Sequence, residues 1–431
     1  MDTKPRSRRD ESGVILVMAL FIIALFTVIV LEYNYSTSVE YRAAAACRDD
    51  LLALNIARAG VQETIALLRE DRLADIAEKE KEAEEKGHGG EATPAAGATF
   101  TEQVTRSRPQ PKGAPVEIPF PDHYGEDWAR GRFREPYGDG VLTLKVIDET
   151  GKININTLVR ERKEMKAPTP TPSPYPGQPA SDAEPTPRPS PRRWGQVDRD
   201  RTGEEDAGAG EAEEPEVRYV VDKKVEKDIM RLIKILHARG VDEEKVTAAI
   251  VDWMDSNSEG DYEEDAGGGS PVKNAPLDVL SELLMVKGVT ADLYFGPGVE
   301  ESPDLDEEPP RKAGRRVAGL RDCLTVFARG KVNVNTAPPE VLSALLEEEN
   351  DSLVKEIVAY TRKDHFKDMA EFREKIGEQV PAGFAAKVGV GSDCVQIISR
   401  GQVNDSVKQL RVFVSRDDKA VARVLFWKIE K

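Results

Sequence analysis

The chain has 431 residues, 39% of them hydrophobic and 32% charged, with a net charge of −17. That length suits one large domain or two moderate ones, and the acidic balance argues against a general polyanion-binding surface. Three cysteines, Cys47, Cys323 and Cys394, are too few for a disulfide framework. A Cys323–Cys394 bridge in an oxidising compartment and two buried free thiols are both open readings.

The first thirteen residues, MDTKPRSRRDESG, run straight into VILVMALFIIALFTVIVL with no proline or glycine after Gly13. Val14 to Leu31 contains no charge and a single hydroxyl, Thr27. At the helical rise it covers roughly 27 Å, enough to cross a bilayer core. A secretory signal peptide has its cleavage site after the apolar region. Here the small residue, Gly13, precedes it. An ordinary single-pass anchor is one reading. The other is a leader that resembles that of type IV pilins, cut between Gly13 and Val14 so that the apolar helix becomes the new N-terminus. In either case Lys4, Arg6, Arg8 and Arg9 hold the leader on the cytoplasmic side.

Helical patterning continues to about Glu70. Leu51, Leu54, Val61, Ile65 and Leu68 recur at helical steps. One helix from Val14 to Arg69 is roughly 80 Å long, half in lipid and half presenting an apolar stripe to a globular head. Residues 75–98 read as fraying helix and linker, and 100–139 as a loop packed on the head. Gly140–Thr157, GVLTLKVIDETGKININT, reads as a strand, a turn and a second extended piece. Residues 166–216 are Pro-rich and then acidic, the composition of a disordered insertion. Helical segments resume at 222–239, 241–254 and 277–285, followed by a charged insertion at 296–316. VFARGKVNVNT at 326–336 nearly repeats GKININT. Three more helical segments follow, over 339–347, 352–362 and 369–376. Three strand-like runs, CVQIISRGQV, VKQLRVFVSR and AVARVLFWKIE, close the chain as an antiparallel meander.

The fold expected is α+β: a long N-terminal transmembrane helix and an antiparallel pilin-like sheet, with a large helical domain of helix-hairpin-helix or SAM-like type inserted into it. The expected divisions are a leader 1–13, a transmembrane and amphipathic helix 14–70, and a linker with head loop 71–139. The first part of the sheet takes 140–157, a disordered insertion 158–221, the inserted helical domain 222–390 and the C-terminal strands 391–431.

Two constellations carry chemistry. The repeat GKxNxNT occurs at Gly151–Thr157 and Gly330–Thr336. KVNVNTAPPEVLSALL resembles helix-hairpin-helix modules, in which the Asn-Thr pair caps the next helix by accepting from its free N–H groups. Phosphate-binding modules of that kind use a Gly-x-Gly hairpin, which is missing near Thr361–Phe366, so nucleic-acid binding is not expected. The second is the acidic loop DWMDSNSEGDYEED. It offers Asp252, Asp255, Asp261, Glu263, Glu264 and Asp265, hard oxygen donors that suit Ca²⁺, against the plainer reading of a solvated surface loop. The four histidines, His88, His123, His237 and His365, show no triad or metal-ligand context, and no nucleophile has an activating neighbour, so the sequence argues against an enzyme.

A leader ending in glycine, ETGKININT, AAIVDWMDSNSE with its acidic loop, PLDVLSELLMVKGVT and KVNVNTAPPEVLSALL follow one another in that order. Together they resemble the K-type minor pseudopilins of type II secretion. The resemblance covers most of 10–70, 140–157, 222–295 and 317–430. It implies cleavage after Gly13 by a prepilin peptidase, N-methylation of Val14, and a calcium-binding acidic loop. It also implies partners: I- and J-type minor pseudopilins met through the Glu32–Arg69 helix, the major pseudopilin, the inner-membrane assembly platform and the inner membrane itself. The bulk of the chain then lies in the periplasm, with the N-terminus cytoplasmic. Typical pilins carry Glu at the fifth mature position; here it is Met18. A subunit without that carboxylate has nothing to pair with a neighbour's N-terminal ammonium in lipid, so the resemblance implies one end of a filament, the tip. A DNA-uptake membrane protein and a type IV pilus minor pilin are the alternatives.

Overall fold

The computed structural model describes residues 9–87, 120–164, 216–236, 240–257, 260, 272–297, 317–347, 350–377 and 380–430. Helix α1, Arg9–Gly87, has 79 residues and is roughly 120 Å long. It extends well past the expected end near residue 70, because RLADIAEKEKEAEEK is built from strong helix formers and holds no proline. Its apolar first third, Val14–Leu31, is wholly exposed and is long and apolar enough to cross a membrane. Burial begins at Asp49 and recurs at Ala53, Ile56, Ala57, Val61, Thr64, Leu68 and Arg72, one face of the helix.

That face lies on an antiparallel sheet of order β1-β2-β9-β10-β11. Its strands are β1 (Arg132–Tyr137), β2 (Gly140–Asp148), β9 (Cys394–Val403), β10 (Ser406–Arg416) and β11 (Ala422–Glu430). Alternation puts Leu144, Val146, Val395, Ile397, Leu410, Val412 and Val414 against Ala57, Val61 and Leu68 of α1. Each fully buried aliphatic side chain stabilises by about 1.5–3 kcal/mol. Helix and sheet meet closely: a Cβ at Gly401 would lie 2.0 Å from the Ala53 carbonyl oxygen, and one at Gly60 would lie 2.6 Å from Ser399 Oγ. Strand β1 forms where a loop is expected. Its Pro136 is tolerated because β1 is an edge strand, and the register slips between Arg132 and Glu135 with Arg134 at φ 48°.

Strands β2 and β9 are neighbours, Val146 opposite Ile397, and everything between them is an insertion. Its core is continuous from Ile153 to Val390. GKININT therefore belongs to the helical unit and not to the sheet, which moves the expected boundary at 157 back to about 152. Strand β3 (Ile153–Asn154) pairs in parallel with β6 (Leu324–Thr325), and β7 (Val332–Asn333) with β8 (Val388–Gly389). Between β3 and β6 stand α2 (Lys223–Leu236), α3 (Glu243–Met254), a 3-10 turn Leu280–Met285, α4 (Ala291–Phe295) and α5 (Leu320–Cys323). Between β7 and β8 stand α6 (Pro339–Leu345), α7 (Asp351–Thr361), α8 (Met369–Ile376) and α9 (Ala382–Lys387). The helical unit thus holds two parallel strand pairs in tandem, each enclosing a run of helices.

The insertion expected over 158–221 to be disordered is ordered at both ends. Val159–Glu164 (β4) and Glu216–Val221 (β5) zip together antiparallel, while the Pro-rich stretch itself lies outside the described residues. Cys323 and Cys394 are buried free thiols.

Candidate functional site

The N-terminal junction is continuous helix: α1 runs through Gly13 and Val14, and nothing lies within 4 Å of a Cβ placed at Gly13. Met18 is exposed on the same apolar rod. The helix beyond it presents Tyr33, Tyr35, Val39 and Tyr41 to its surroundings, all exposed, before the first contact with the head near Asp49.

The acidic corner sits at the end of α3. Asp242 caps the helix start through Lys245 N–H at 3.2 Å, and Asp255 closes its end with its own N–H on Val251 O at 2.9 Å. Three-residue spacing puts Asp252 and Asp255 on one side, and both are buried. Ser256 pins the following loop to β5, accepting from Tyr219 N–H at 2.9 Å and donating its own N–H to Tyr219 O at 3.1 Å. Gly260 lies flat on the Asp252 carboxylate, where a Cβ would come within 2.4 Å of both oxygens. The incoming chain joins at Asn274, whose N–H donates to Trp253 O at 3.0 Å. Its side-chain oxygen is buried and accepts no hydrogen bond among the described residues. These side chains offer hard oxygens of the kind Ca²⁺ takes, and Asp255 Oδ2 already accepts from Asn257 Nδ2 at 2.5 Å. Asp261, Glu263, Glu264 and Asp265 lie outside the described residues.

The repeated motif has a different role from the one expected. In the second copy Asn333 Oδ1 accepts from Asn335 N–H at 2.9 Å, and Asn335 holds the Phe366 backbone on both sides: Oδ1 accepts from Phe366 N–H at 2.8 Å and Nδ2 donates to Phe366 O at 3.0 Å. In the first copy Asn154 Oδ1 accepts from Asn156 N–H at 2.9 Å, and Asn156 holds Leu277 N–H and O, each at 2.8 Å. Each NxN therefore makes one turn and one side-chain clamp that imitates a strand pair. Helix α6 is entered through Pro338, with no side chain capping it. The capping role assigned to Asn335-Thr336 is overturned, because their polar atoms are spent on tertiary contacts. Lys152 of the first copy bonds Glu149 at 2.6 Å, an internal ion pair.

Sequence reasoning missed the buried carboxylates that join the sheet to the helical unit. Asp148, at the end of β2, accepts from Thr150 N–H at 2.8 Å, from Ser392 and Thr336 hydroxyls at 2.5 Å each and from Asn333 Nδ2 at 3.3 Å. Burial pushes its carboxyl up to about 6 against those donors. Asp122 is paired with Arg72 at 3.0 Å and with Arg416, and Arg416 also reaches Asp71 at 2.7 Å. Asp71, Asp75 and Asp122 lie together, but two guanidinium groups already supply the positive charge. Burial lifts Glu126 to about 8, with Asp122 adding to it. The one available signal was polar residues at strand ends, which by pattern alone is no different from a turn.

Residues 332–390 match the family model described as Type II secretion system (T2SS), protein K. The matched segment runs from the second NxN clamp to the end of α9 and β8. That segment of the helical unit is similar to the protein K family. No curated protein matches the chain. Among solved structures it is similar to a chain of the GspK-GspI-GspJ complex of the enterotoxigenic Escherichia coli type 2 secretion system. The identity is 14% and the TM-score 0.43, over 72% of this chain and 87% of that one.

Proposed function

We propose that this chain is a K-type minor pseudopilin of type II secretion, which caps the tip of the periplasmic pseudopilus and starts its assembly, the filament then driving folded proteins through the outer membrane. The observation that carries the reading is the helical unit inserted between β2 and β9, with a core of its own that runs from Ile153 to Val390. A head of that bulk obstructs the stacking of a further copy above it. Met18, in the position of the usual glutamate, adds to this: it offers no carboxylate to a neighbouring ammonium within lipid. The exposed face of α1 from Glu32 to Arg69 is the surface for I- and J-type minor pseudopilins, helix on helix. Cleavage after Gly13, N-methylation of Val14, an inner-membrane anchor with a cytoplasmic N-terminus, and contacts with the major pseudopilin, the prepilin peptidase and the assembly platform complete the reading.

Calcium belongs to the same proposal. Asp252 and Asp255, with the Asn274 side-chain oxygen, would hold the ion, together with ligands from Asp261, Glu263, Glu264 and Asp265. A divalent cation there supplies charge neutralisation at the end of α3 and locks the loop to it.

The test is immunogold labelling of surface-forced pseudopili with an antibody to the helical unit. Labels at one end are expected. Labels spread along the fibre contradict the tip reading.

A further inference from the structure

His123 and His365 stack face to face, ring centroids 3.8 Å apart and planes 13° from parallel. The two rings come from different parts of the molecule. His123 belongs to the loop 120–130, which lies against α1, and His365 to the turn between α7 and α8. We propose that this stack is an acid-release latch between that loop and the helical unit, closed while the His123 ring is neutral and opened when it takes a proton.

The hydrogen bonding of His123 fixes its closed state. Gly125 N–H donates to His123 Nδ1 at 3.0 Å, so Nδ1 must carry a lone pair and the ring proton sits on Nε2. Nε2 faces Glu126 Oε1 at 3.4 Å. A second proton has only Nδ1 to enter, and there it meets the Gly125 N–H head on. The ring cannot shift toward the turn, since it lies directly on the backbone of Gly125: a Cβ there would be 2.7 Å from Cε1 and 2.8 Å from Nδ1.

The surrounding charges do not remove the conflict. On its own loop His123 faces Asp122 and Glu126, and from the helical unit it faces Asp364 and His365. Asp122 is held by Arg72 and Arg416, and from α1 Asp71 and Asp75 bear on Glu126. His365 Nδ1 lies 3.5 Å from Asp364 Oδ1. A proton entering His123 sits at stacking distance from that ring and costs His123 the Gly125 bond. Burial first, and His365 second, lower the affinity of His123 for a proton. For a base so depressed, the open loop binds a proton that the latch refuses. The latch is therefore fully closed above the ordinary imidazole range and is lost as pH falls through it. The opening is local. Asp122 N–H on Val390 O and Asn333 Nδ2 on Asp122 O, both at 2.9 Å, do not involve the rings and remain.

Amide hydrogen exchange on the full chain in detergent micelles tests this at about pH 7.5 and about pH 5, corrected for the intrinsic rate. Protection at residues 123–126 and 364–366 is expected to fall by about tenfold or more on acidification, the scale set by one refused proton. His365→Phe keeps a flat ring in the stack and removes one of the two causes that lower the proton affinity of His123, so its protection should fall less on acidification than the parent's. Unchanged protection in the parent, or an equal fall in His365→Phe, overturns the proposal. Should that variant fail to fold, the ring-carbon shift of His123 in the parent decides. Titration below the ordinary imidazole value of about 6.5 is expected, and titration at or above it overturns the latch.

Discussion

Thr336 donates its hydroxyl to Oδ2 of Asp148 at 2.5 Å, and both residues are buried. One stands at the end of β2 and the other closes the second GKxNxNT segment, so this contact ties the sheet to the unit inserted into it. Gly151 of the first segment presses on the same threonine, where a Cβ would lie 2.8 Å from its hydroxyl oxygen. The two motif copies therefore meet at the point where the chain leaves the sheet.

Asp148 makes the junction sensitive to pH. Its folded value, about 6, lies above the ordinary 3.8. An acid with a raised value contributes stability that is fully present below 3.8 and lost as pH rises through about 6. The effect is on the order of 3 kcal/mol across that window. Asp148→Asn should flatten this part of the profile, measured as the difference in melting temperature between variant and parent at several pH values. A difference that does not change with pH removes the argument.

The asparagine clamps should be costly to lose. Asn335→Ala leaves Phe366 N–H and C=O unsatisfied in a buried turn, at about 2–4 kcal/mol. Asn335→Asp should be no better, since a carboxylate oxygen then faces the Phe366 carbonyl. Denaturant titration of both variants, with Asn156→Ala as the counterpart in the first motif copy, checks whether the two clamps carry similar weight.

Gly401 is where α1 presses closest to the sheet. Gly401→Val places side-chain atoms into the Ala53 carbonyl and must lift the helix away, costing about 3 kcal/mol or more. Protease cleavage within residues 49–72, absent from the parent under the same conditions, is the expected sign.

Calcium should raise the melting temperature of the full chain, because carboxylates gathered at the end of α3 repel one another without a cation. Asp255→Asn combined with Asp261→Asn should abolish the gain. A chelator that leaves parent melting unchanged returns the loop to an ordinary acidic surface.

The mature protein should begin at Val14. Mass spectrometry of the membrane form, from cells with an active prepilin peptidase, should give a mass lacking the first thirteen residues and carrying one added methyl group. An intact leader under those conditions contradicts the processing reading.

The sequence alone determined the parts whose signal is local. The apolar block Val14–Leu31, the period of Leu51 to Leu68, and the alternation in CVQIISRGQV, VKQLRVFVSR and VLFWKIE each follow from one short stretch meeting water or lipid on one side. The order of motifs was legible for the same reason, and it carried the resemblance to K-type minor pseudopilins. What only the tertiary structure decided depends on residues far apart in the chain. The asparagines of GKxNxNT read as helix caps, yet they clamp Leu277 and Phe366, and no local pattern marks a backbone segment more than thirty residues away as their partner. ININT read as sheet and proved to be helical-unit core, because alternation cannot say which core its apolar residues enter. Asp122 fell within a stretch read as a loop, and Asp148 within one read as a strand and turn. Their burial, and so their shared work with Arg72, Arg416 and Thr336, exists only once α1, the sheet and the inserted unit close on one another and exclude water.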